Sequence, residues 1–337
     1  MRKVLVLLAV LLLLCGCGSS KQKTQSFDGK DRPSSRGDLQ VIDSQLCGED
    51  GEPIILRGIS TYGLPMAERY VNQDTVSEIS SKMGANVIRY AMYTYGVGVV
   101  GYCTGGDKAR LKQTVENGVE YAKNADMYAI IDWHILDDGD PNKFVEEAKL
   151  FFDEESAKFK DYNNVIYEIC NEPNGVDWPT VKKYAEAIIP VIRNNDPNAV
   201  ILVGTPDYSQ GVDVASEDPL DFDNLLYSLH FYAATHNTAL RDRAKKALDN
   251  GIGLFVTEFG ITASSGTGQV SIEESDNWIS FLEENKVSYV MWEFSKTAEA
   301  SAALKPDCLK TKDFERDDFS QAGQWLMDTI AKYSVKE

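Results

Sequence analysis

Eight short apolar runs, rich in β-branched residues, recur along the chain and constrain its fold more than any other feature. They begin at Ile54, Asn86, Tyr128, Val165, Val200, Leu226, Leu254 and Tyr289. Successive starts lie 32, 42, 37, 35, 26, 28 and 35 residues apart, so each gap has room for a helix and its loops. Residues 108–123, 178–194 and 275–285 show helical apolar spacing, and Asp74 stands where it would cap a helix entered at Thr75. Strands alternating with helices eight times over predict an α/β fold, a (β/α)8 TIM barrel forming one domain over residues 39–337. An open doubly wound sheet would carry a glycine-rich phosphate loop after its first strand. The first strand here runs into Gly58-Ile59-Ser60-Thr61-Tyr62-Gly63, which lacks that spacing. No fixed-period repeat points to a solenoid.

The chain does not begin with that domain. Arg2 and Lys3 precede an apolar stretch, Val4 to Leu14, too short to span a bilayer, which takes about 20 residues. It reads as a secretory signal peptide over residues 1–16. Leu14-Cys15-Gly16-Cys17 is similar to a bacterial lipoprotein signal, which implies lipidation at Cys17 and display on a membrane outside the cytoplasm. Residues 17–38 are polar and read as the lipidated cysteine and a disordered linker.

Charge narrows the partners. With 34 basic and 52 acidic residues the chain carries −18, which argues against nucleic acid, whose phosphates call for a basic face. Three histidines in the whole chain make a histidine-rich metal centre unexpected, and no metal or cofactor is expected. Cys47, Cys103, Cys170 and Cys308 form no CxxC pair. Export permits disulfides, but four cysteines allow three pairings and the sequence does not choose. Cys170 lies in an apolar run and reads as a free core thiol. No heptad or edge-strand signal argues against a monomer.

Polar residues collect at the C-terminal ends of the strands: Arg89, then Asp132-Trp133-His134, Asn171-Glu172-Pro173, His230-Phe231-Tyr232, Glu258-Phe259-Gly260 and Trp292. In barrel enzymes that end holds the active site. Residues two apart on a strand share a face, which pairs Asp132 with His134, Glu168 with Glu172, and His230 with Tyr232. Two carboxylates from opposite strands, with several aromatics, suit glycoside hydrolysis. That reaction needs one protonated carboxyl for the leaving oxygen and one ionised carboxyl at the oxocarbenium-like centre. By the same parity Arg57, Asp132 and Glu168 are expected to form a buried ion network deeper in the barrel.

The segments LRGIS, GANVIRYAMY, IIDWHILDDGDPN, NVIYEICNEPNG, LHFYAATH and FVTEFG, in this order, resemble glycoside hydrolase family 5 in its bacterial endoglucanase branch. The resemblance covers roughly residues 39–335. It implies that Glu172 is the general acid/base and Glu258 the nucleophile of a retaining reaction. It implies that Asn171 bonds a sugar hydroxyl, that Arg89 holds the nucleophile ionised, and that Tyr232 bonds it. His134 and His230 would line the cleavage subsite, Trp292 would stack on a sugar, and Tyr93 would add an aromatic to the cleft. The implied substrate is a β-1,4-glucan polysaccharide or a cello-oligosaccharide. Mannan, xylan or xyloglucan on the same fold is the nearest rival. A non-catalytic glycan-binding lipoprotein and a metal-dependent barrel hydrolase, prompted by Asp132 and His134, stand further off.

The chain departs from this pattern where substrate is expected. Tyr62 replaces a usual histidine, Leu64-Pro65-Met66 occupies the stretch of a usual platform tryptophan, and Tyr208 replaces another. After the last strand the usual order is Trp, Asn, a hydrophobic residue, Ser, an acid, Lys, a variable residue and Glu. Here it is Trp292-Glu293-Phe294-Ser295-Lys296-Thr297-Ala298-Glu299, with the lysine displaced by one. These changes make soluble mixed-linkage glucans and short oligosaccharides at least as fitting as crystalline cellulose. Trp178 and Tyr95 are further candidates for aromatic cleft surface.

Overall fold

The computed structural model describes residues 29–96 and 100–334. The signal peptide and the lipidation site at Cys17 lie outside them. Among the described residues no helix is long and apolar enough to cross a membrane.

The described residues form ten strands: β1 (Gln40–Ile42), β2 (Gln45–Cys47), β3 (Arg57–Thr61), β4 (Val87–Tyr93), β5 (Tyr128–His134), β6 (Val165–Glu168), β7 (Val200–Val203), β8 (Leu225–Tyr232), β9 (Leu254–Gly260) and β10 (Ser288–Phe294). Strands β3 to β10 close into a barrel in sequence order, β10 pairing with β3. Every pair is parallel. Helices Gln73–Met83, Lys108–Asn124, Val145–Phe159, Trp178–Asn195, Thr238–Asp249 and Ile272–Glu284 fill the crossovers, and Gln321–Ser334 follows the last strand. The shortest interval, between β7 and β8, holds only two short helices, Pro206–Ser209 and Val212–Ala215. The predicted (β/α)8 barrel is therefore the fold observed.

The period of two sorts each strand. Val87, Tyr128, Ile130, Ile166, Leu202, Leu226, Phe255 and Val290 pack together inside the barrel floor. Their neighbours Ile88, Ala129, Ile131, Tyr167, Ile201 and Met291 face the helices. At Gly58 a Cβ would meet the Val87 carbonyl oxygen at 1.9 Å, so the close approach of β3 to β4 requires glycine.

Three local expectations are corrected. The helix at residue 73 is capped by Asn72, whose Oδ1 accepts from the Thr75 amide at 2.9 Å; Asp74 lies inside the first turn. Residues 29–38 do not form a disordered tether. Pro33 is buried, Arg32 donates to Ser80 Oγ at 2.8 Å, and Ser34 bonds Asp126. Arg57 joins neither Asp132 nor Glu168. Leu56, just before β3, and Ser60 on it face inward, so Arg57 points to the helices and binds Glu283 at 2.6 and 2.7 Å. The buried ion network exists, but Arg89 is its centre.

The hairpin β1–β2 has no counterpart in the sequence expectations. Asp43 and Ser44 at its turn both have positive φ, 49° and 64°, as a two-residue type I′ hairpin requires. It closes the end of the barrel opposite the site. Leu39 and Leu46 join the inner core, and the Val41 amide bonds Asn224 Oδ1 at 2.8 Å. Among the described residues Cys47, Cys103, Cys170 and Cys308 form no disulfide, and Cys170 lies within the core as expected.

Candidate active site

The site is assembled around one arginine. Arg89 on β4 has no solvent exposure. Its Nε lies 2.6 Å from Glu168 Oε2 at the end of β6, and its Nη2 lies 3.0 Å from Asp132 Oδ2 on β5. Nη1 reaches Glu258 Oε2 on β9 at 3.3 Å, and Nη2 also donates to Asn171 Oδ1 at 2.6 Å. One cation thus faces three carboxylates, and burial of unpaired charge is costly. Burial accordingly lifts Asp132 to about 7 against the pull of Arg89, and lifts Glu168 as well.

Above this floor the groups split into two sets. Glu258 accepts from the Tyr232 hydroxyl at Oε1 (2.7 Å) and from Arg89 at Oε2. Glu172, in the loop beyond β6, meets His230 Nδ1 through Oε1 at 2.8 Å. His230 Nε2 lies 2.8 Å from Thr257 Oγ1, which fixes the ring between hydroxyl and carboxyl. One oxygen of Glu172 and one of Glu258 lie within 4.8 Å of each other and of a His230 nitrogen.

The two carboxyls are held differently. Burial pushes Glu172 up to about 8, with Arg89 opposing and the charges of Asp132 and Glu168 adding. Burial raises Glu258 too, although His230, Arg89 and His134 work against it. Arg89 favours the charged form of Glu258, as expected, but it does not set the net direction. Its charge is shared with Asp132 and Glu168, and desolvation prevails. Burial keeps both histidines neutral near pH 7, His230 at about 4 and His134 well below the usual imidazole range.

Around the carboxyls lies a cleft of ≈ 420 Å³ bordered by Tyr62, Tyr93, His134, Tyr208, His230, Tyr232 and Trp292, among others. Tyr93 stacks on His134 with centroids 4.1 Å apart, and His134 faces Trp292 at 5.4 Å. His134 Nδ1 is held by Asp132 Oδ2 at 2.7 Å. All nine residues predicted for catalysis and substrate therefore come together, but two do not border the cleft. Arg89 and Asn171 lie just beneath it, because their polar atoms are taken up by the floor carboxylates, the Ile135 carbonyl and each other. Trp178 and Tyr95 are not cleft surface. Trp178 packs on Tyr227 and bonds the Asp218 carbonyl, while Tyr95 carries Lys143 over its ring.

Leu136, Gln210, His236, Ser264, Ser265 and Gly266 also border the cleft, without having been expected there. They lie in irregular segments beyond the strands, where no periodicity marks them. Glu299, named only as part of the final motif, also borders the cleft. Tyr62 packs on Trp292 at 5.8 Å, and Met66 is 37% exposed without joining the lining.

Glu172, His230 and Glu258 have donor spacing that a metal ion accepts. Arg89 at 3.3 Å from Glu258 opposes a cation there, and the Tyr232 bond occupies the other oxygen. The arrangement fits an acid and a nucleophile better than a ligand set.

The profile of the family described as Cellulase (glycosyl hydrolase family 5) matches residues 47–298. The chain belongs to that family. It is 43% identical over 300 residues to endoglucanase A of Butyrivibrio fibrisolvens, covering 88% of this chain and 69% of that one. The solved structure of cellulase Cel5C_n superposes with a TM-score of 0.85 at 41% identity, covering 90% of this chain and 93% of that one. The catalytic domain of Thermobifida fusca endoglucanase Cel5A, solved with cellotetraose, gives 0.84 at 32% identity, covering 88% and 98%. This family-5 chain is thus a glycoside hydrolase with a site built on Arg89.

Proposed function

We propose that this enzyme is a retaining endo-β-1,4-glucanase in which Glu172 is the acid/base and Glu258 the nucleophile. The observation that carries the reading is the pair of carboxyls with oxygens within 4.8 Å. That fits retaining enzymes, whose carboxyls lie about 5–5.5 Å apart, and leaves too little room for the water of an inverting reaction. In the first step the Glu172 proton passes to the glycosidic oxygen as that C–O bond breaks. A Glu258 oxygen forms the new bond to the anomeric carbon. In the second step Glu172, now ionised, takes a proton from water, which displaces Glu258 with the sugar configuration retained. Tyr232 and Arg89 hold the two Glu258 oxygens and orient the attack. His230 holds Glu172. Trp292 with Tyr62 and Tyr93 offers ring faces to the sugars.

The substrates are soluble β-glucans and cello-oligosaccharides. The enzyme acts as a monomer, displayed outside the cell through lipid on Cys17. The support is the Leu14-Cys15-Gly16-Cys17 sequence behind an apolar stretch.

Reducing-sugar release from mixed-linkage β-glucan, carboxymethylcellulose, xyloglucan and mannan, with and without Glu258→Gln, tests the reading. Release from the glucans, lost in the variant, supports it. Release only from mannan or xyloglucan overturns the substrate and keeps the chemistry. No release from any of them overturns the glucanase reading and moves the glycan-binding reading to the front. Recovery of a Cys17→Ala variant in the medium, with the parent in the membrane fraction, tests the anchor.

A further inference from the structure

We infer that the cleft discriminates by charge: it turns over neutral β-glucans more efficiently than carboxylate-bearing ones of equal bulk, with Glu299 as the residue that sets this preference. The inference rests on the glucanase reading and adds the substrate class to it.

Among the described residues, the cleft lining contains no lysine and no arginine. It contains three acids, Glu172, Glu258 and Glu299, and its three histidines are held toward the neutral form by burial. The nearest cation, Arg89, has no solvent exposure and is enclosed by Asp132, Glu168 and Glu258. Its charge is offset before it reaches the sugar. Lys296, three residues before Glu299, turns its Nζ to the Pro306 carbonyl at 3.4 Å and does not line the cleft. Thr297 spends its hydroxyl on Glu293 Oε1 at 3.1 Å. Glu299 is left with the Ser301 hydroxyl at 3.4 Å and no ion pair among the described residues. Burial raises its carboxyl against the Ser301 bond; it is thus an acceptor for neutral sugar hydroxyls and, when ionised, a like charge to any carboxylate. The chain's net charge of −18 adds a long-range repulsion of the same sign.

The test compares carboxymethylcellulose with hydroxyethylcellulose of matched substitution, so that bulk is equal and only charge differs. The full chain is assayed at pH 7 in about 0.02 M and about 0.5 M salt, which shortens the screening length severalfold. Salt is expected to raise kcat/KM on carboxymethylcellulose several-fold and to leave hydroxyethylcellulose within twofold. A like charge about 6 Å away in water changes affinity about threefold. Glu299→Gln is therefore expected to improve carboxymethylcellulose about threefold at low salt, mainly in KM, and to reduce its salt response. Thr297→Lys, which places a cation in the same loop, shifts the preference in the same direction. Glu146→Gln, the same charge change on a remote, 76% exposed side chain, leaves it unchanged. Equal responses of both polymers to salt and to Glu299→Gln overturn the inference while the glucanase reading stands. Inactivity on both overturns the reading and the inference together.

Discussion

Arg89 touches Glu258 through a single contact, Nη1 to Oε2 at 3.3 Å, while a shorter bond, 2.6 Å, goes to Glu168. The arginine is therefore as much a part of the barrel floor as of the site. Its fork holds three strands, β5, β6 and β9, against β4, and fixes the nucleophile as a consequence. Arg89→Lys keeps the charge and loses the fork. It is expected to lower kcat roughly a hundredfold, the scale of a misplaced reacting group, with KM changed far less. It is also expected to lower the melting temperature, because buried carboxylates lose their partner. Steady-state kinetics on cellotetraose with a thermal melt of the same sample check both.

The pH profile follows from the two carboxyls. Glu172 must be protonated to act, and burial places it at about 8. kcat/KM should fall above that pH as the proton is lost. Glu258 must be ionised, and burial raises it, so the acidic limb should lie above the ordinary carboxylate range. Glu172→Gln should remove the alkaline limb for an aryl cellobioside whose leaving group needs no proton. Initial rates from pH 4 to 10 with both substrates decide this.

Glu293 gives a stability prediction. It has no exposure, accepts from Ser295 and Thr297 hydroxyls at one oxygen, and has no partner at the other. Burial raises it from 4.5 to about 8. Between these values the folded protein keeps a proton that the unfolded chain has lost, so folded stability falls as pH rises and levels off above 8. Glu293→Gln removes that dependence. The variant's melting temperature minus the parent's should grow from pH 5 to pH 8 and then stay constant. A difference that does not vary with pH would show Glu293 ionised throughout.

Trp292 is 6% exposed, with Tyr62 and His134 beside it. Removing its ring deletes apolar contact with sugar and loosens its neighbours. Trp292→Ala is expected to lower kcat/KM on cellotetraose by about tenfold or more, on the scale of burying one large side chain. Isothermal titration with the Glu258→Gln background separates the loss of binding from the loss of rate.

The barrel was legible because its strands are fully buried. Runs such as YAIIDWH and LFVTEFG are apolar until their C-terminal ends, where Asp132, His134 and Glu258 break the pattern. The period of two then placed Asp132 with His134, and His230 with Tyr232, on the inner face. The same rule failed at Arg57, because Leu56 before β3 and Ser60 on it face inward, and parity cannot fix which phase a strand adopts. The hairpin was hidden by its brevity: three residues on each side of Asp43-Ser44 carry too little alternation to read. Residues 29–38 looked polar and structureless, yet Arg32 and Ser34 are satisfied by Ser80 and Asp126, partners far away in sequence. The lining at Ser264 to Gly266 belongs to a loop, and loops carry no periodic signal.

Double displacement requires a covalent bond between Glu258 and the sugar, and trapping detects that bond. The enzyme is incubated with a 2-deoxy-2-fluoro cellobioside bearing an activated leaving group, then digested and mapped by mass spectrometry. One added 2-deoxy-2-fluorocellobiosyl group is expected on the peptide containing Glu258, and none after Glu258→Gln. A label on another residue would move the nucleophile. No label, with a product of inverted configuration by proton NMR, would contradict the double displacement altogether.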